Sequence, residues 1–327
     1  MTFSTTSLVC DPTKRHDFVF LFDVTNGNPN GDPDAGNLPR IDPETMLGLV
    51  TDVCIKRKVR DWVDMTRGKQ ERFEIYVQNK GIALNDFNRR AHKAVFKTEE
   101  IENKQEGNAV AEVKRQKGGK GTEQSKEGGK AEESNSVRQN ARRAWMCDQF
   151  YDIRTFGAVL STGEYPAGQV RGPVQLTFAQ SIDPITPLDI SITRVAVTEI
   201  DPAKKTTSTM GRKAFVPYGL YLGHGFFVPH FAQQTGFSAE DFELFWMALQ
   251  SLWDVDRSAN RGMLALRGLY VFSHSNALGN APAHRLFERI HVQKREEVQV
   301  PRYIADYNVT INETNLPDGV VLTKLEG

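Results

Sequence analysis

Apolar side chains fill every position of Phe18-Val-Phe-Leu-Phe22, and the chain then breaks into Asn26-Gly-Asn-Pro-Asn-Gly-Asp-Pro-Asp-Ala-Gly-Asn-Leu-Pro-Arg40. A continuous apolar run bounded by turn residues predicts a strand buried on both faces, followed by a long loop. Leu47, Val50, Cys54, Ile55, Val59 and Trp62 then recur at helical spacing. They predict a helix from Glu44 to Val63, with Asp42 as its cap and Pro43 in its first turn. Phe73 to Val77 alternates like a short strand, and Leu84 to Val95 and Val137 to Tyr151 return to helical periodicity. Ala167 to Ala179 reads as one strand with a Gly-Pro irregularity. Leu188 to Ile200 and the run from Ala214 read as two strands around a polar, basic tip, a hairpin too long for a simple turn.

Ser238-Ala-Glu-Asp241 opens an amphipathic helix that turns Phe242, Phe245, Trp246, Leu249, Leu252 and Trp253 inward. Leu264 to Phe272 is a further strand, and Pro317-Asp-Gly319 a turn before Val320-Val-Leu322. The order is strand, helix, strand, helices, strand, hairpin, helix, strand. That is an α+β chain on a ferredoxin-like βαββαβ plan, read as a single elaborated domain over 1–327. Lys97 to Ser136 has almost no large apolar residues, cannot offset its ordering entropy by burial, and reads as a charged low-complexity insertion or surface arm.

The chain has 327 residues, 41 basic and 41 acidic, with 39% hydrophobic and 25% charged content. These are the proportions of a soluble protein, and no apolar run approaches a membrane span. Three dispersed cysteines, Cys10, Cys54 and Cys147, without Cys-x-x-Cys, fit a reducing cytoplasm, and no signal peptide is visible. A zero balance argues against a chain basic throughout, and directs attention to local patches.

Four such patches stand out. The loop carries amide groups at Asn26, Asn28, Asn30 and Asn37 among glycines that permit close backbone approach, and ends at Arg40. Lys56-Arg-Lys-Val-Arg60 places Lys56, Arg57 and Arg60 on one helix flank with no acid between them, a phosphate site or a solvated face. Gln169 and Arg171 open the Ala167 strand. In the hairpin tip, Lys204, Lys205, Arg212 and Lys213 surround Met210, which either packs back on the hairpin base or wedges between bases. Arg267-Gly-Leu-Tyr-Val-Phe272 distantly echoes the aromatic strand of RNA-recognition domains, with Leu269 where an aromatic is wanted.

No cofactor motif is present: the loop is neither a P-loop nor Gly-x-Gly-x-x-Gly, and the seven histidines show no paired-ligand spacing. Asn28, Asn30, Asp32 and Asp34 alternate like cation ligands but lack a downstream bidentate Glu, so Asx-turns account for them as well. Asp32 or Asp34 in metal-assisted RNA cleavage is the serious enzymatic alternative.

The segments Asn28 to Arg40, Thr51 to Arg60, Arg154-Thr-Phe-Gly-Ala-Val159, Gly168-Gln-Val-Arg-Gly-Pro-Val-Gln175 and Thr209-Met-Gly-Arg-Lys213, in that order, resemble the backbone subunit of the type I-C CRISPR surveillance complex, Cascade, in the RAMP superfamily. The resemblance implies an RNA-recognition-like palm, a helical finger insertion, and a projecting β-hairpin thumb with its tip at 199–213. It implies a non-enzymatic cytoplasmic protein of a prokaryote, without cofactor or metal, that forms a helical filament of identical copies on a CRISPR RNA. The guide would then pair with a target DNA strand. Further implied partners are a guide-processing endonuclease subunit, large and small Cascade subunits, and a recruited helicase-nuclease. On this chain the guide backbone would fall to Asn26, Asn28, Asn30, Arg40, Lys56, Lys58, Arg60, Gln169 and Arg171, and the thumb contacts to Lys204, Lys205, Met210, Arg212 and Lys213.

Overall fold

In a computed structural model, residues 7–96, 127–194 and 209–325 are described, with backbone only for 127–134, Arg194, Thr209 and Met210. The apolar run forms β1 (His16–Gly27), nearly every residue of which is buried. Such a strand needs a neighbour on each edge, and it has two antiparallel ones: β10 (Thr209–Phe227) and β11 (Met263–His274). The loop after β1 holds a small ladder of β2 (Gly31–Asp32) and β3 (Leu38–Pro39), and β4 (Leu47–Val50) precedes α1 (Asp52–Arg67).

Two compact units follow from the chain's internal contacts. Unit 1 is Met1–Trp62, Val174–His230 and Ser238–Gly327; unit 2 is Val63–Pro173 and Phe231–Phe237. In unit 1, β7 (Val174–Leu176), β8 (Ala179–Pro184) and β9 (Leu188–Arg194) lead to β10, then α5 (Pro229–Thr235) begins and α6 (Ala239–Val255) follows. After β11 come α7 (Ala283–Phe287), the β12–β13 ladder (Ile290–Lys294 with Tyr307–Ile311) and β14 (Val320–Leu325). The main sheet runs β14-β11-β1-β10-β8-β4, with β7 and β9 also paired to β10. The antiparallel order β11-β1-β10-β8 is the expected ferredoxin-like arrangement, and the fold is mixed α+β. Unit 2 comprises a helix over 84–96 (α2), α3 (Glu127–Gln149), α4 (Tyr151–Phe156) and a hairpin of β5 (Gly157–Leu160) and β6 (Gly168–Arg171). Its core gathers Tyr76, Phe87, Met146, Phe150, Ile153 and Leu160.

The core of unit 1 is aromatic. Phe18 meets Trp246 edge-on at 5.0 Å, and Phe22 stacks on Trp253 at 4.4 Å and on Tyr221 at 5.3 Å. These are the inward aromatics of α6, which starts with the anticipated capping box between Ser238 and Asp241. Phe18 and Phe20 lie directly opposite Gly225 and Gly223 on β10. A Cβ at Gly225 would lie 2.0 Å from the Phe18 ring. The glycines are the space in which the rings sit.

Four sequence expectations are corrected. The helix expected from Glu44 begins at Asp52: Asp42 accepts from Glu44 N at 3.0 Å and Thr45 Oγ1 at 2.8 Å, folding 42–46 into a turn, and Leu47–Val50 pairs with β8. Phe73 to Val77 forms no strand, because the Asp152 carboxylate takes the amides of Tyr76 (2.8 Å) and Val77 (3.0 Å) where a neighbouring strand would. Ala167 to Ala179 is two strands, broken at Gly172-Pro173. The insertion expected to Ser136 is helical from Glu127; its part over 97–126 lies outside the described residues.

Gly225→Ala is expected to lower stability by about 1–3 kcal/mol or more, since Phe18 is fully buried against Trp246 and Phe245. Denaturant midpoints with an unchanged slope check it; an unchanged midpoint would show that the rings can move aside.

Candidate nucleic-acid interface

The loop after β1 is built on its own amides. Asn28 is buried, donates from Nδ2 to Asn37 O at 2.8 Å, and its backbone N donates to Asn260 O at 2.7 Å. Asn30 Oδ1 accepts from Thr51 N and Thr51 Oγ1, both at 2.9 Å, and Thr51 Oγ1 accepts from Cys54 N, capping α1. Asn28 and Asn30 therefore spend their side chains on the loop and on the helix start. Gly27 lies so close to the Arg261 carbonyl that a Cβ would be 1.9 Å from its oxygen. What remains for a ligand is the exposed Asn26 and the exposed rim 33–38.

Asp32 accepts from Asp34 N at 3.2 Å and caps the short 3-10 turn Pro33–Ala35, which closes through Gly36 and Asn37 at positive φ. Arg40 Nη2 lies 3.5 Å from Asp32 Oδ1. This is the self-capping Asx geometry, and no His/Cys/Asp/Glu group among the described residues could hold a metal ion.

The basic helix flank differs from its expected form. Lys56 pairs with Asp52 at 2.8 Å, and Arg57 with Asp61 at 2.6 Å. Lys58 is not on the flank but inside, 2% exposed, bonded to Asp256. Asp256 also takes Arg57 at 3.4 Å and Arg261 at 3.2 Å. Arg261 in turn donates to the carbonyls of Asn28 (3.2 Å) and Pro29 (2.9 Å), so Asp256 links α1, the loop and the turn before β11. Burial pushes the Lys58 ammonium down to about 7, with Arg261 and Arg57 pushing the same way. Arg60 is half-buried, one turn on from Lys56 on the same flank. Sequence reasoning missed Asp256 and Arg261, whose only signal is the charged run Asp254-Val-Asp-Arg-Ser-Ala-Asn-Arg261 after an apolar helix.

A hairpin forms, β9 pairing with β10 from Leu188↔Phe215 to Arg194↔Thr209, but its second strand starts at Thr209 and not at Ala214, so the ladder takes in Met210, Arg212 and Lys213, expected in the tip. Arg212 is exposed and paired with Asp189, and Lys213 is half-buried. Met210 is placed by its backbone alone, opposite Thr193, and Lys204 and Lys205 lie outside the described residues. On β11, Arg267 donates to the buried Asp23 at 2.8 Å, which also accepts from Tyr218 Oη at 3.1 Å. Tyr270 and Phe272 are buried, so the echo of an RNA-recognition strand is a core feature.

In unit 2, β6 exposes Gln169 and Arg171, with Val159 opposite Gln169. The Arg171 guanidinium lies 4.4 Å from the Phe231 ring centroid. Arg142, buried, donates through Nε and Nη2 to Pro166 O at 3.1 and 2.8 Å, holding the turn that enters β6.

An antiparallel ferredoxin-like sheet that extends one of its strands into a hairpin defines a mixed α+β class whose fold alone fixes no ligand. The chain belongs to the family of the CRISPR-associated protein Cas7, whose model matches residues 14–312. A CRISPR-associated protein Cas7 of Haloferax volcanii is 41% identical over 64 residues, which are 20% of this chain and 17% of that protein, so the aligned stretch spans under a fifth of the relative. Among solved structures, a chain of a CRISPR RNA-guided surveillance complex in a pre-nicking state aligns with TM-score 0.47 and 16% identity over 79% of this chain and 78% of that one. A chain of a type III-B Cmr-β complex bound to cognate target RNA aligns with TM-score 0.37 and 11% identity over 79% of this chain and 61% of that one.

Removing Asp256 strands a buried ammonium, whereas removing Lys58 leaves Asp256 with Arg57 and Arg261. Asp256→Ala is therefore expected to cost about 3–5 kcal/mol and Lys58→Met far less, measured by thermal or denaturant melts. Lys58 binds fewer protons folded than unfolded between pH 7 and 10.5, so its cost is full below pH 7 and falls as pH rises. Wild type should gain stability on Lys58→Met from pH 7 to 10; a constant gap would show that Lys58 keeps its proton.

Proposed function

We propose that this chain is a guide-binding backbone subunit of a CRISPR surveillance complex, polymerising along a CRISPR RNA and presenting it for pairing with a target DNA strand. The type I-C kind is the subtype that its motifs resemble. The observation that carries the reading is the family match over 14–312. The paired β9–β10 hairpin supports it, because a stiff basic arm can cross a nucleic-acid strand at each protomer.

A filament also accounts for the charge. Forty-one cations against forty-one anions would hold a lone chain poorly on RNA, but identical weak sites along one strand add up. Lys56 and Lys58 are engaged within the protein, which shifts the weight of phosphate binding to Asn26 and the loop rim, Gln169 and Arg171, and the thumb residues Lys204, Lys205, Lys213 and Arg212, whose exposed ion pair with Asp189 a phosphate can replace. Met210 is the candidate wedge.

The test is the 260/280 nm absorbance ratio of the protein purified with its operon partners and array, followed by sizing of the extracted nucleic acid. RNA of uniform length in a large particle is expected; a nucleic-acid-free monomer would overturn the reading. Metal-dependent cuts in bound target RNA at regular spacing, abolished by Asp32→Ala or Asp34→Ala, would instead install the ribonuclease alternative. Lys204→Ala combined with Arg212→Ala is expected to lower RNA content several-fold with an unchanged melting temperature, because an exposed arm contributes little burial. Unaltered RNA content would remove the thumb from guide binding.

A further inference from the structure

One cluster in unit 2 is absorbed neither by the core nor by the contacts proposed above. On the helix over 84–96, His92 stacks on Tyr165 at 4.0 Å with the rings 12° apart, and lies 5.0 Å from Phe96. Two arginines of α3 cover the same Phe96: Arg138 Cζ is 5.6 Å and Arg142 Cζ 6.0 Å from its centroid. The result is a row of flat groups, Arg138, Phe96, His92 and Tyr165, half-buried or exposed along the surface of the unit.

Arg142 is the brace of this row, because Pro166 O holds its guanidinium. Arg138 is different. It is exposed, and among the described residues it has no carboxylate partner. It also sits one helical turn from Arg142 on the same ring, an arrangement of like charges that disfavours the free helix. Burial and the charge of Arg138 both push the Arg142 guanidinium down from its ordinary range. An anion at the surface would relieve that repulsion. Arg143 lies one position further on, its Nη1 near the Gly168 end of β6, and adds a third cation to the side where Gln169 and Arg171 emerge. At the far end of the row Glu164 is bonded to the Tyr165 hydroxyl.

Planar cations interleaved with stacked aromatics on a surface match the two repeating parts of a single-stranded nucleic acid: phosphates and base faces. We infer that the Arg138–Phe96–His92–Tyr165 row is a contact site for a single-stranded nucleic-acid segment, with Arg138 on a phosphate and the Tyr165 ring offering a stacking face. The inference rests on the guide-filament reading for its source of nucleic acid, which is either the guide or the strand that pairs with it.

The experiment uses the assembled, guide-loaded protein and its variants Arg138→Ala, Tyr165→Leu and Tyr165→Phe. RNA per protomer is read from absorbance, and binding of a fluorescent complementary single-stranded DNA from anisotropy across a salt series. Tyr165→Phe keeps the ring and is expected to behave as wild type. Tyr165→Leu is expected to weaken binding about five- to tenfold. Arg138→Ala is expected to weaken it several-fold and to reduce the salt slope by about one. A loss of RNA content identifies the strand as the guide, and a loss of DNA binding alone identifies it as the paired strand; either supports the site. Unchanged RNA content and unchanged DNA affinity in both Arg138→Ala and Tyr165→Leu would overturn it. Wild-type protein purified without RNA would strike the guide reading instead. The row is then tested on the same full-length chain with a labelled mixed-sequence oligonucleotide, where equal binding by wild type and both variants overturns the inference.

Discussion

Everything in unit 1 depends on a strand that has no solvated face. Because Phe18, Phe20 and Phe22 are all fully buried, β1 can exist only between two other strands and beneath a helix. β10 supplies one edge, with glycines where the rings need room; β11 supplies the other; and α6 lays Trp246 and Trp253 on the aromatic face. The loop from Asn26 to Arg40 begins where this most constrained strand ends. Its first residues inherit that rigidity, and Arg261 and Asn260 continue it by holding Asn28 and Pro29 through backbone carbonyls and amides.

Charge is organised by the same economy of position. Chain totals cancel, and in space most of the conspicuous cations have been matched: Lys56 with Asp52, Arg57 with Asp61, Lys58 with Asp256, Arg267 with Asp23. The pairs with a buried member, Lys58 with Asp256 and Arg267 with Asp23, fix the position of helix, loop and strand more than they add stability, and the exposed Arg57–Asp61 pair adds little. Among the described cations that face outward, Arg138 and Arg171 sit on a helix surface and a hairpin beside aromatic rings, and Arg212 sits on the arm, paired with Asp189.

The sequence was readable where one face of an element is forced inward. β1, α6 with its capping box, β11 and the thumb strands all followed from apolar spacing. It misled where two periods coincide: Leu47 and Val50 are three apart and suit a helix, but the turn at Asp42 and the contact of Gly48 with Tyr221 make a strand. Phe73 to Val77 alternates as a strand should, yet a single carboxylate supplies what a ladder would have. At the candidate interface the limit was long-range pairing. Nothing local to Lys58 announces Asp256, so a buried, neutralised lysine and a solvated one read alike, and asparagines that brace a loop read like asparagines that offer it to a ligand.

β10 has a further consequence. Its nineteen residues run unbroken from the hairpin into the middle of the main sheet, so one piece of backbone belongs both to the arm and to the aromatic core. In mechanical terms it is a cantilever whose root is clamped by the Phe18–Gly225 and Phe20–Gly223 pairs. A slip of one residue at the root would turn every side chain of the arm to its opposite face. The tip beyond Thr209 can therefore vary in length and sequence without altering which way the arm presents Arg212, because that orientation is decided at the other end of the strand.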